Sequence, residues 1–140
     1  MTIKKTMYVK ENSFRKLDDP FNTRARKYVF YVKVSDVPEG IPMATNPRDQ
    51  RLTSGVAQAI KNSLESNDGY FHLKNRGIVL SAKSCTYNNK SQEVTIHFTD
   101  NALHGNIDGG HTYKIVCEHK DAGLDQYVQF EVMTGVEDII

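Results

Sequence analysis

The sequence is short of the features that would name its chemistry outright. It has almost no net charge, with 18 Lys and Arg against 17 Asp and Glu. A domain-wide electrostatic grip on nucleic acid or on a membrane is therefore not indicated, which leaves only a local basic patch for such a role. No apolar run approaches the length that spans a bilayer, and the opening "MTIKKTMYVKENSF" lacks the apolar centre of a signal peptide. The two cysteines, Cys85 and Cys117, lie far apart and form no CxxC pair. A reduced, cytoplasmic protein with two small buried thiols is expected.

Catalytic signatures are just as scarce. The chain has neither HExxH nor GxSxG, so neither a zincin nor a hydrolase nucleophile elbow is encoded. Five histidines are present, His72, His97, His104, His111 and His119, with no paired cysteines and no carboxylate at ligand spacing. No metal site is expected from that pattern. Glu93, Asp100 and Asp108 are near one another along the chain, which alone carries little towards a metal-dependent nuclease. No cofactor is indicated.

What is present reads as one ordinary α+β domain spanning residues 1–140, with a mixed sheet and a few helices. The C-terminal "VMTGVEDII" looks like the opening of a further apolar element, so a fragment of a longer protein is expected. "RKYVFYVKV" (26–34) alternates as a strand, with Tyr28, Phe30, Val32 and Val34 on one face. The proline-rich stretch 35–49 reads as an extended connection. Leu52, Val56, Ala59, Ile60 and Leu64 then repeat at helical spacing, and Asn67-Asp68-Gly69 supplies the stop. Beyond Gly69 comes an extended segment, an interruption at Lys74 to Gly77, and a strand through about Tyr87. "NNKSQ" is a turn, and "EVTIHFT" points Val94, Ile96 and Phe98 inward and His97 outward. A short strand around 103–107, a helix over "HTYKIVCEHK" and a strand with Val128, Phe130 and Val132 on one face complete the reading.

Three short features could carry chemistry. In "GNIDGGHTYKIV" (105–116), Gly109 and Gly110 fall where a strand gives way to a helix. Glycines there can take positive φ and aim amides into an anion-binding concavity, with the helix start adding more. His111 and Thr112 would stand beside it, and the Thr112 hydroxyl could reach a phosphate oxygen. Alternatively the glycines only permit a sharp turn, Asp108 caps the helix and His111 lies on the surface. Taken alone, the residues favour that plainer turn. In "HLKNRGIVL" (72–80), Asn75-Arg76-Gly77 interrupts an apolar stretch, and Arg76 could offer its two-pronged guanidinium to an anion. In "TNPRD" (45–49), Arg48 stands just before the first helix.

Taken in order, "NPR", "FHLKNRGIVLSA" and "GNIDGGHTY" resemble the AIPR family, named for abortive infection phage resistance. Members carry Asn-Pro-Arg, a Phe-rich segment leading to Asn-(Asn/Arg)-Gly-Ile, and an (I/V)-(V/I)-(N/D)-G-x-(Q/H)-T turn. The likeness runs from about Val37 to Val132. Asp108 stands where the family usually has Asn, and His111 where it usually has Gln. Members are usually much longer than this chain. The turn is more distantly similar to ParB-type, DGQHR-type and sulfiredoxin domains, which hold nucleotide phosphates at a helix start. Thr112 stands where those families place arginine, and Arg76 or Arg48 could substitute.

The resemblance implies a ParB/sulfiredoxin-like α+β fold and a role in phage defence or alongside DNA modification. It implies a phosphate-bearing ligand, a nucleotide or a nucleic-acid backbone, at Gly109, Gly110, His111 and Thr112, with Asn75 and Arg76 assisting. Two alternatives stand beside it. One is a metal-dependent nuclease or nucleotide hydrolase using Asp108 and His111. The other is a non-catalytic protein-interaction domain. No membrane partner is expected.

Overall fold

The computed structural model describes residues 2–43 and 55–139. The Asn46-Pro47-Arg48 motif, Arg48 with it, and Leu52 lie outside the described residues. Eight strands fall into two sheets: β1 (Ile3–Tyr8), β2 (Phe14–Asp18), β3 (Arg26–Lys33), β4 (Ile78–Ala82), β5 (Ser84–Asn88), β6 (Glu93–Phe98), β7 (Gly105–Asp108) and β8 (Tyr127–Thr134). Three helices, α1 (Gly55–Glu65), α2 (Phe71–Lys74) and α3 (Gly110–Glu118), complete an α+β arrangement. No helix among the described residues is long and apolar enough to cross a membrane.

The larger sheet has the order β2-β3-β8-β4-β7, and the smaller one β1-β6-β5. The larger sheet is mixed. β8 pairs antiparallel with β3 (Phe30 opposite Phe130) and parallel with β4 (Leu80 opposite Val132). Alternation places Tyr28, Phe30, Val32, Val128, Phe130 and Val132 on the buried face, as period-two strands require. Phe30 and Phe130 stack at 5.7 Å between ring centroids. Val94, Ile96 and Phe98 of β6 are fully buried from the other sheet, and one apolar cluster joins both sheets to α1 and α3.

Several elements differ from the sequence reading. The N-terminal stretch forms β1 and β2, which the sequence did not suggest, because β2 is exposed at four of its five positions and shows no apolar alternation. Residues 71–74, expected to be extended, make one helical turn, with the amides of Leu73 and Lys74 donating to the Tyr70 carbonyl. The strand expected to run through Tyr87 is two strands in different sheets. The chain bends at Lys83, whose amide donates to the His97 carbonyl at 2.8 Å, so one extended run serves both sheets. In α1 the buried stripe is Ala57 and Leu64 with Ile60 half-buried, while Val56 and Ala59 face out. The apolar spacing was correct for a helix but ambiguous about which stripe packs.

Two buried polar side chains tie these elements together. Gln126 is fully buried; its Oε1 accepts from the amides of Gly69 (3.1 Å) and Phe71 (3.3 Å), and its Nε2 donates to Leu64 O (3.2 Å). His104 Nδ1 accepts the amides of Thr99 (3.0 Å) and Asp100 (3.1 Å), so the ring proton sits on Nε2 and is donated to Glu137 at 2.8 Å. That bond holds the Glu137 carboxyl below its usual range. It also fixes the loop that feeds β7.

Candidate functional site

The strand-to-helix turn is where the sequence placed it. β7 ends at Asp108, Gly109 is the N-cap of α3 in the left-handed region (φ 76°), and the first helical bond runs from Tyr113 N to Gly109 O at 2.9 Å. Only Gly109 needs positive φ, since Gly110 already has helical backbone and is buried. A side chain on Gly109 would run into the Gly77 carbonyl oxygen and press on Ile78 Cα at 3.0 Å. Gly77 (φ 89°) is crowded in turn, since a Cβ there would lie 2.5 Å from Gln129 O. Both glycines are therefore required twice, by backbone conformation and by space.

Asn75, Arg76 and Gly77 thus stand against the turn. Asn75 Nδ2 donates to Thr112 Oγ1 at 3.0 Å, and the Thr112 hydroxyl donates back to Asn75 Oδ1 at 3.3 Å. The same Oδ1 accepts the Gly77 amide at 2.7 Å, an Asx-type turn that shapes the Asn-Arg-Gly corner. Thr112 is 3% exposed. Its hydroxyl is committed to Asn75, so it joins the two turns instead of facing solvent.

The remaining candidates are accessible. Arg76 is exposed and makes no ion pair or hydrogen bond among the described residues, and His111 is half-buried and likewise uncommitted. Lys74 is not available in the same way. Its Nζ lies 2.8 Å from Asp68 Oδ2, and that bond lowers the Asp68 carboxyl to about 2. Asp108 is exposed and does not cap the helix at N2 or N3. Its Oδ1 takes the Gly109 amide at 2.9 Å. Within α3 the amides of Gly110 to Thr112 have no acceptor, with Gly110 and Thr112 buried, while Asp108 precedes the turn and Arg76 precedes the Gly77 that packs against it.

Positioning residues that the sequence reading missed lie just behind. Asn106 is fully buried and its Nδ2 donates to Asp108 O at 2.7 Å and Val79 O at 3.3 Å, across the register shift between Val79 and Leu80. The Tyr113 hydroxyl donates to Pro38 O at 2.7 Å and accepts the Ile41 amide at 3.1 Å, while Pro42 O accepts Asn106 N at 2.8 Å. These bonds lay the 38–42 segment along β7. A lone polar residue in an apolar context was the only available signal.

Residues 43–140 match the family model described as AIPR protein. The chain belongs to the AIPR family. The match covers well over half of the chain and includes both turns, whereas β1, β2 and β3 precede it. Membership associates this AIPR chain with phage defence. No curated protein and no solved structure matches it.

Other candidates find their places elsewhere. Cys85 is buried and its thiol is pushed up to about 12 by burial, and burial also raises the half-buried Cys117. Neither is an activated nucleophile. Among the described residues no three His, Cys, Asp or Glu side chains group as a metal site requires, so Asp108, Asp100 and Glu93 do not converge. An apolar depression rimmed by Glu39, Lys114 and Glu118 is lined by Ile41, Met43, Tyr113 and Cys117, and includes none of the residues Asp108 to Thr112.

Proposed function

We propose that this AIPR chain binds a phosphate-bearing ligand, a nucleotide or a nucleic-acid backbone, where the Asn75–Gly77 turn meets the Asp108–Thr112 turn. The observation that carries this reading is their junction. Two motifs more than 30 residues apart in sequence are held together by the Asn75–Thr112 bonds and the Gly77–Gly109 contact. That junction leaves an uncommitted arginine beside the start of a nine-residue helix. Helix-start amides and a guanidinium are complementary to a phosphate in both charge and hydrogen-bond direction. Arg76 would take the part that ParB- and sulfiredoxin-like turns give to an arginine at the Thr112 position.

Asp108 opposes this role, because its carboxylate stands at the mouth and occupies the Gly109 amide. The reading therefore makes two opposite predictions. Titrating nucleotides and short single- and double-stranded DNA, Arg76→Gln should weaken binding roughly tenfold. Asp108→Asn should tighten it several-fold by removing like charge. Both side chains are exposed, so both variants should fold. Equal affinity in wild type and both variants would sink the proposal. A parallel screen with Mg²⁺ and Mn²⁺, comparing His111→Ala, separates hydrolysis from binding.

A further inference from the structure

The two ends of the larger sheet are not alike, and the end away from the turn carries its own pattern. β2 is an edge strand with four exposed residues in sequence, Arg15-Lys16-Leu17-Asp18. Leu17 is 58% exposed, and Phe21 just beyond is 95% exposed. Charges on an edge usually serve to discourage pairing. Here, however, both signs are present and their order matters.

The β2–β3 ladder determines which backbone groups are free. Asp19 N donates to Ala25 O, and the pairing sets Leu17 opposite Lys27 and Arg15 opposite Val29. In an antiparallel ladder bonded and non-bonded pairs alternate, so Arg15, Leu17 and Asp19 point their backbone groups at β3. Lys16 and Asp18 then point theirs outward. A second copy adding antiparallel about a two-fold axis normal to the sheet must oppose residues of the same face. Centred on Arg15, Lys16, Asp18 or Asp19, that axis sets like charges against each other. Centred on Leu17, it sets Leu17 against Leu17, Lys16 against Asp18 and Arg15 against Asp19, each twice. In this register the outward groups of Lys16 and Asp18 bond across the seam, and Leu17 occupies the non-bonded position where side chains approach most closely.

We propose that β2 is a self-association edge, two copies pairing antiparallel about Leu17 so that their five-stranded sheets become continuous. The occupant is a second copy of this chain, because of the axes centred on Arg15 to Asp19 only the one on Leu17 sets opposite charges against each other. Asp18 is open enough to serve both Arg26, at 3.1 Å, and the second copy, since its side chain is 73% exposed. A five-residue seam is small, so the dimer belongs to the weak, reversible class, with a dissociation constant of roughly micromolar or higher. The seam lies at the opposite edge of the sheet from the turn, so its failure would leave the ligand-site proposal intact.

Sedimentation equilibrium of the 140-residue chain, with concentrations up to about 1 mM, tests the seam. Wild type should show a reversible monomer–dimer equilibrium. Lys16→Asp alone opposes two carboxylates twice, and Asp18→Lys alone opposes two ammonium groups twice. Each should weaken self-association by at least about tenfold. Mixed in equal amounts, the two variants oppose Asp to Lys at every pair and should form a heterodimer of near wild-type affinity. Leu17→Asp should weaken association in any mixture. A strictly monomeric wild type overturns the proposal. So does self-association unchanged by the single reversals, or a mixture in which the two variants stay monomeric.

Discussion

The two edges of the five-stranded sheet differ in how closely they are specified. The β7 edge is covered by the 38–42 segment, depends on Gly77 and Gly109 for close approach, and is pinned by Asn106, Asn75 and Thr112. The β2 edge carries charged residues on open backbone, with neither a glycine nor a buried polar side chain. One edge leaves little room for a change of shape, while the other is open backbone with exposed side chains. Function in both cases would follow from what is left over: uncommitted amides and an arginine at one, an unpaired ladder at the other.

The sharpest way to break this contrast is at Gly109. Replacing it with Ala forces a Cβ into the Gly77 carbonyl and keeps a left-handed backbone, so a loss of about 3 kcal/mol or more is expected. Urea unfolding followed by circular dichroism measures it, and a loss below about 1 kcal/mol would mean that the edge can relax. Next comes Thr112→Val, nearly isosteric, which strips Asn75 of its buried partner. It should cost about 1–2 kcal/mol and weaken phosphate-ligand binding in the folded protein.

A smaller effect is expected from acid. Glu137 has its folded pKa below its ordinary value of 4.5 because His104 donates to it. Its stabilising contribution is therefore fully present above about pH 5 and is lost as pH falls through the depressed value. Glu137→Gln removes that dependence, so the stability of wild type should fall more steeply below pH 4.5 than that of the variant. Parallel slopes would show that the His104–Glu137 bond does not stabilise the β7 approach. Smallest of all, Lys16→Ala at the β2 edge should change monomer stability by no more than about 0.5 kcal/mol, measured in dilute solution. A larger loss would mean that Lys16 holds β2 onto the sheet.

The sequence was informative wherever one face of an element is buried. β3, β6 and β8 alternate because one side packs, and the α3 start is marked by Asp-Gly-Gly ahead of a helical period. It was silent on β2, whose exposed positions leave no pattern to detect, and it merged β4 with β5 because the change of sheet takes place at a single bend residue, Lys83. The candidate site was half legible. Its residues could be named from three ordered motifs, but their meeting could not, because it depends on a parallel β4–β8 pairing that brings Gly77 beside Gln129 and under Gly109. The part assigned to Thr112 shifted for the same reason. A hydroxyl aimed at a ligand and one aimed at Asn75 look identical in a string of letters.

Gln126 has a consequence for how the molecule opens. One buried carboxamide holds the end of α1, the Asn67–Phe71 turn and the start of β8 by three backbone groups, none of which can be released without exposing the others. The amide protons of Gly69 and Phe71 lie in a turn and would ordinarily be lost to solvent within moments. Here the buried Phe71 amide should exchange with deuterium far more slowly than a turn amide ordinarily does, because its release requires Gln126 to open, with the Gly69 amide less protected at the exposed rim. One turn amide, Phe71, is thereby made a reporter of how the buried carboxamide opens.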